Sequence, residues 1–96
     1  VVGLVRAIAL ETVGSGVTVN AVCPGYTDTD MVAESIARIT EKTGRPSADA
    51  LAGMLRTNPL GRLITPEEVA ATVTFLCSAQ AAAITGTTVA VAGGEV

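Results

Sequence analysis

The chain has 96 residues, 49% apolar but only 2% aromatic, so its core is drawn from Val, Ile, Leu and Ala, and a chain this short buries a modest one. The net charge of −3 and the lack of any basic run exclude nucleic acid and anionic membrane surfaces as expected partners. With no His present and two cysteines, Cys23 and Cys77, that lack metal-ligand or disulfide-framework spacing, neither a His-dependent triad nor a metal site is expected.

Val1–Glu11 has helical periodicity, with Val1, Leu4, Val5, Ile8 and Thr12 on one stripe and Gly3 and Ala7 on a flatter face. No cap and no initiator methionine precede it, so it reads as the middle of a helix begun upstream, and the chain is expected to be a piece of a longer one. Gly14-Ser15-Gly16 ends this helix. Val17–Val22 alternates β-branched residues and reads as a buried strand. Pro24 stops it, because proline has no amide donor and biases Cys23 away from helical geometry. Gly25 lets the backbone turn or a ligand approach, and Thr29 or Asp30 can cap the helix that follows.

Asp30–Lys42 is predicted helical, with Val32, Ile36 and Ile39 on its apolar stripe and Gly44 as its stop. A shorter helix over Ala48–Arg56 is expected to start at a Ser47 cap. The whole stretch from about 30 to 57, with Gly, Pro and Thr in its loops, has the makings of a lid. Asn58–Leu63 is a turn-rich connector. Thr65-Pro66-Glu67-Glu68 supplies a cap, a proline at the first helical position and a capping box, opening a helix to about Ser78. Thr85-Gly86 turns the chain into a last alternating strand, Thr87–Ala92, which Gly93-Gly94 ends.

Strands separated by helices and lacking hairpin turns imply parallel pairing in a layered α/β domain. Two strands do not make a stable sheet alone, so further strands are expected from upstream sequence or another chain. Ligands of open α/β sheets bind beyond the carboxyl ends of strands, which makes the Pro24–Asp30 junction the candidate site. Amides at the start of the following helix favour an anionic group there. The lack of a basic leader or a long uncharged apolar run points to a soluble, cytoplasmic protein.

Three blocks of this sequence resemble the C-terminal half of short-chain dehydrogenases/reductases. They are Val2-Gly3-Leu4 through Leu10-Glu11 with Gly16-Val17-Thr18-Val19-Asn20-Ala21-Val22-Cys23-Pro24-Gly25, then Pro59-Leu60-Gly61-Arg62 with Thr65-Pro66-Glu67-Glu68-Val69-Ala70, and Ile84-Thr85-Gly86 through Gly93-Gly94. Within the family the chain is similar to 3-oxoacyl thioester reductases, polyketide ketoreductases and 3-hydroxyacyl dehydrogenases. The resemblance implies the C-terminal part of a Rossmann-like, doubly wound parallel sheet: its last two strands, with lid helices between them. It implies a ketone–alcohol oxidoreductase using NADP or NAD on a small-molecule carbonyl or alcohol substrate, and assembly as a homo-oligomer, dimer or tetramer, through the Thr65–Ser78 helix and the last strand.

Carried over residue by residue, Pro24 and Gly25 shape a loop beside the nicotinamide, and the Thr27 backbone bonds its carboxamide. Thr29 contacts the carboxamide or pyrophosphate, and Tyr26 is a wall of the pocket. The family's glycine-rich phosphate loop, catalytic serine and Tyr-x-x-x-Lys pair are not in this sequence, so no catalytic residue is expected here. The alternative is a non-catalytic binding or structural subunit of the same fold.

Overall fold

The computed structural model describes residues 1–94. In chain order it has α1 (Val2–Thr12), β1 (Ala21–Pro24), α2 (Asp30–Thr43), α3 (Ser47–Met54), α4 (Pro66–Leu76) and β2 (Thr88–Val91), with short 3-10 turns at Val13–Ser15 and Ala79–Ala81. The two strands pair with each other. The Gly86 amide donates to Val19, and the Ala21 amide to Thr87, so both segments advance in the same direction and the sheet is parallel. Three helices connect β1 to β2, as a parallel crossover requires. The chain forms two compact units: Val1–Cys23 with Glu67–Val91, and Pro24–Pro66 with the segment from Ala92.

In the first unit the expected strand over Val17–Val22 begins four residues late, at Ala21, and includes Pro24; Val17 is half exposed rather than buried. The reason lies in Asn20. Its side-chain amide donates to the Ile84 carbonyl at 3.0 Å and its Oδ1 accepts the Thr87 amide at 3.1 Å. The Val19 amide goes to Thr85 Oγ1 at 3.0 Å. Side-chain bonds from Asn20 and Thr85 are here interleaved with the Gly86–Val19 backbone bond, and the regular ladder starts only beyond them. Pro24 is tolerated because it ends the strand, where a missing donor breaks no further ladder bond. β2 follows the expected alternation, with Val89 and Val91 turned inward and Thr88 and Ala90 exposed.

Of the stripe predicted for α1, Val5 is buried as expected and Thr12 half-buried, while Leu4 is 63% exposed and Val1 and Ile8 are also on the surface; the second buried position, Ala9, lies off that stripe. Ala9 faces the Thr85–Gly86 turn, where a β-carbon on Gly86 would stand 3.4 Å from that of Ala9, an ordinary contact distance. Gly3 meets nothing within 4 Å, so the flat Gly3–Ala7 face makes no close helix contact among the described residues. α4 ends at Leu76 rather than Ser78. The chain then turns through a 3-10 segment that buries Ala81, only 1% exposed.

In the second unit α2 and α3 pack against each other, occupying the segment expected to form a lid. α2 stops at Gly44, which adopts φ +69° and returns its amide to the Thr40 carbonyl, a left-handed helix terminus. The expected N-terminal caps of α2 and α3 differ. Thr29 holds the cap position of α2 in extended geometry but makes no side-chain cap bond. Pro46, not Ser47, precedes α3, which ends at Met54 instead of reaching Arg56. Ser47 is drawn into the first turn because Pro46 carries the extended backbone geometry that the cap requires. The best-buried side chain here is Ile64, 2% exposed. No helix among the described residues is long and apolar enough to cross a membrane.

Candidate functional site

The Pro24–Thr29 loop belongs to the second unit and leaves the end of β1. Its middle is extended. Thr27 forms an isolated parallel bridge with Ile64: the Ile64 amide donates to the Tyr26 carbonyl at 2.9 Å, and the Asp28 amide donates to the Ile64 carbonyl at 2.8 Å. Successive residues of an extended chain direct their polar groups to opposite sides. The amide and carbonyl of Thr27 therefore face away from Ile64, and among the described residues they have no partner. The Thr27 hydroxyl donates to the Gly25 carbonyl at 3.0 Å, which ties the side chain back into the loop and leaves the amide as its outward donor.

Gly25 is half-buried. A β-carbon there would lie 3.1 Å from Ala92 Cα and 3.2 Å from Ala92 Cβ, so the loop is threaded close past the segment after β2. Thr29 is exposed and its carbonyl accepts the Ala33 amide at 3.1 Å, which starts α2. Asp28 and Asp30 are both exposed. Tyr26, 47% exposed, lines an open cavity of about 350 Å³ with Ile39 and Thr43 of α2, Arg45, and Asp49 and Met54 of α3. The expected loop residues thus lie on one short segment, with Tyr26 turned to the helix pair and Thr27 presenting its backbone.

A cavity of about 380 Å³ in the first unit is larger. It is lined by Thr18, Cys77, Ser78 and Thr85 among small apolar residues, and apart from one thiol it offers no titratable group. Neither cysteine is in a disulfide. Among the described residues no cluster of three metal-ligating side chains is found.

Sequence reasoning missed the support beneath the loop. Asn58 is a buried polar side chain, 8% exposed. Its Oδ1 accepts the Leu60 amide at 2.9 Å and its Nδ2 donates to the Arg62 carbonyl at 3.2 Å. The Leu60 amide also reaches the Gly93 carbonyl at 3.1 Å. The connector at 58–63 is therefore a braced turn that delivers Ile64 to Thr27. The signal available was an Asn two residues before an amide that its own side chain can bind, ahead of Pro and Gly.

The sequence matches the family model described as "Enoyl-(Acyl carrier protein) reductase" over residues 1–95. An acetoacetyl-CoA reductase of Rhizobium meliloti (strain 1021) is 41% identical over 93 residues, which is 97% of this chain and 34% of the relative. A cis-4-hydroxycyclohexanecarboxylate dehydrogenase of Sinomonas cyclohexanicum is 44% identical over 94 residues, 98% of this chain and 33% of the relative. Among solved structures, the actinorhodin polyketide ketoreductase with NADPH superimposes with a TM-score of 0.84 at 36% identity, covering 98% of this chain and 36% of that one. The chain spans about a third of the length of the curated relatives it matches.

Proposed function

This chain belongs to the short-chain dehydrogenase/reductase family, and on that premise we propose that it is the C-terminal part of a single Rossmann-type domain in an oxidoreductase that interconverts a ketone and a secondary alcohol. The substrate class is a 3-oxoacyl or 3-hydroxyacyl thioester, or a polyketide-type ketone. The observation that carries this reading is the outward amide of Thr27, whose neighbours' bonds are taken up by Ile64.

The loop fits a nicotinamide carboxamide. A carboxamide oxygen needs a donor, and the Thr27 amide is one with no competing acceptor among the described residues. Gly25 lets the loop pass close to Ala92, and Pro24 fixes the direction in which the loop leaves β1. Thr29, at the start of α2, places its hydroxyl and the first helical amides where the carboxamide or pyrophosphate would be held. Tyr26 is a wall of the substrate space and transfers no proton. NADP(H) or NAD(H) bound there supplies or accepts the hydride. The residues that move the proton come from other parts of the protein.

The α2–α3 pair, within the 30–57 segment, acts as the lid over a small-molecule carbonyl or alcohol substrate. The face of α4 bearing Ala70, Ala71 and Thr74, together with β2, packs on a second copy, giving a cytoplasmic dimer or tetramer. The test is turnover: the full-length protein incubated with NADPH or NADH and acetoacetyl-CoA oxidises the coenzyme and forms the 3-hydroxy thioester. Coenzyme that neither binds nor is consumed with any carbonyl substrate places the protein among non-catalytic members of the fold.

A further inference from the structure

We infer that Asn58 is a positioning residue that sets the direction of the Thr27 amide without touching coenzyme or substrate, an inference that rests on the nicotinamide reading of that amide. Four observations in the second unit connect the two. Asn58 is the buried polar side chain of this unit, and both ends of its amide are engaged, by the Leu60 amide and the Arg62 carbonyl. Those two bonds span the Asn58–Arg62 turn, which also closes through the Gly61 amide onto the Asn58 carbonyl at 3.0 Å. Two residues beyond Arg62, Ile64 makes both bonds of the bridge to the loop, with the Tyr26 carbonyl and the Asp28 amide. On its far side the turn abuts the segment after β2, where a β-carbon on Gly93 would stand 2.6 Å from Asn58 Oδ1.

That same segment passes Gly25 at Ala92. The loop is thus held at two points, by Ile64 at its middle and by Ala92 at its start, and the Asn58 turn governs the first. A peptide plane has one rotational freedom about the chain axis, and the bonds to Tyr26 and Asp28 remove it. Without them the loop keeps its sequence but loses the fixed aim of the Thr27 donor, and a donor aimed in advance is what makes a binding contact strong.

The discriminating variant is Asn58→Asp in the full-length protein. It keeps an oxygen to accept the Leu60 amide but has no donor for the Arg62 carbonyl; Asn58→Ala, which removes both bonds without adding charge, serves if the carboxylate prevents folding. Amide hydrogen exchange at Asp28 and Ile64 is expected to rise about tenfold, the factor one hydrogen bond is worth, with the KM for coenzyme rising by a similar factor and the KM for the carbonyl substrate unmoved. A purely structural role lowers the melting temperature without this split. Ala81→Gly, a buried change in the first unit, supplies that comparison. Unchanged exchange at Asp28 and Ile64 overturns the positioning role. Faster exchange with an unchanged coenzyme KM instead overturns the assignment of Thr27 to the coenzyme, so the two failures are told apart.

Discussion

Gly93→Ala is the substitution with the most readable cost, because Gly44→Ala measures one of its two components alone. Both glycines have positive φ, +65° at Gly93 and +69° at Gly44. An L side chain in that region costs about 1–2 kcal/mol. At Gly44 nothing stands within 4 Å of the new β-carbon, so this conformational cost is the whole effect. At Gly93 the β-carbon would lie 2.6 Å from Asn58 Oδ1 and 2.7 Å from Leu60 Cβ, well inside the ordinary contact distance of about 3.5 Å. Relief requires the 58–60 turn to retreat, which costs about 1–3 kcal/mol as overpacking and strains the Leu60–Gly93 bond. Gly93→Ala is therefore expected to lose about 2–5 kcal/mol and Gly44→Ala about 1–2 kcal/mol. Urea unfolding of the two variants beside wild type, compared by midpoint at equal slope, reads the difference. Equal losses at the two sites would refute the close packing of Gly93 on Asn58.

Asn20→Ala removes the bonds to Ile84 and Thr87 and leaves a carbonyl and an amide without partners. A loss of about 2–3 kcal/mol in unfolding stability is expected, with faster exchange at the Thr87 amide. Ile64→Ala, at the largest fully buried side chain among the described residues, should cost about 2–5 kcal/mol by cavity formation, measured by the same unfolding assay. Thr27→Val keeps the β-branched shape and removes the hydroxyl bond to Gly25; about 1 kcal/mol of stability is expected to go, while the coenzyme KM, which depends on the backbone amide, stays within about twofold. Gly25→Ala presses on the Ala92 backbone and should raise the coenzyme KM more than it lowers stability, since the loop moves and the rest of its unit does not.

The order of elements was legible because each carries its own local chemistry. Gly16, Gly44 and Gly86 stand where the chain turns left-handed, and Pro66 opens α4. The candidate loop was legible as a strand that meets Pro-Gly and then a helix start. What sequence could not settle was which of several apolar faces is buried. On α1 almost every position is apolar, so periodicity marks Val1, Leu4 and Ile8 as readily as the buried Val5 and passes over Ala9; the neighbouring Thr85–Gly86 turn, which Ala9 faces, decides. Polar side chains that stand in for backbone were equally hidden. Asn20 reads as the polar phase of a strand and Asn58 as part of a loose connector, yet each bonds backbone groups distant in sequence or across a turn. The caps of α2 and α3 were hidden for a related reason: Thr29 has the right backbone geometry, but geometry alone does not commit its hydroxyl.

The most direct measurement is a coenzyme titration of the full-length protein followed at the backbone ¹⁵N–¹H resonance of Thr27. A shift of that resonance that saturates with bound NADPH or NADH, together with slowed exchange of the same amide, is the predicted result. Saturable coenzyme binding that leaves the Thr27 amide unshifted and exchanging as before would contradict the assignment of this loop to the nicotinamide.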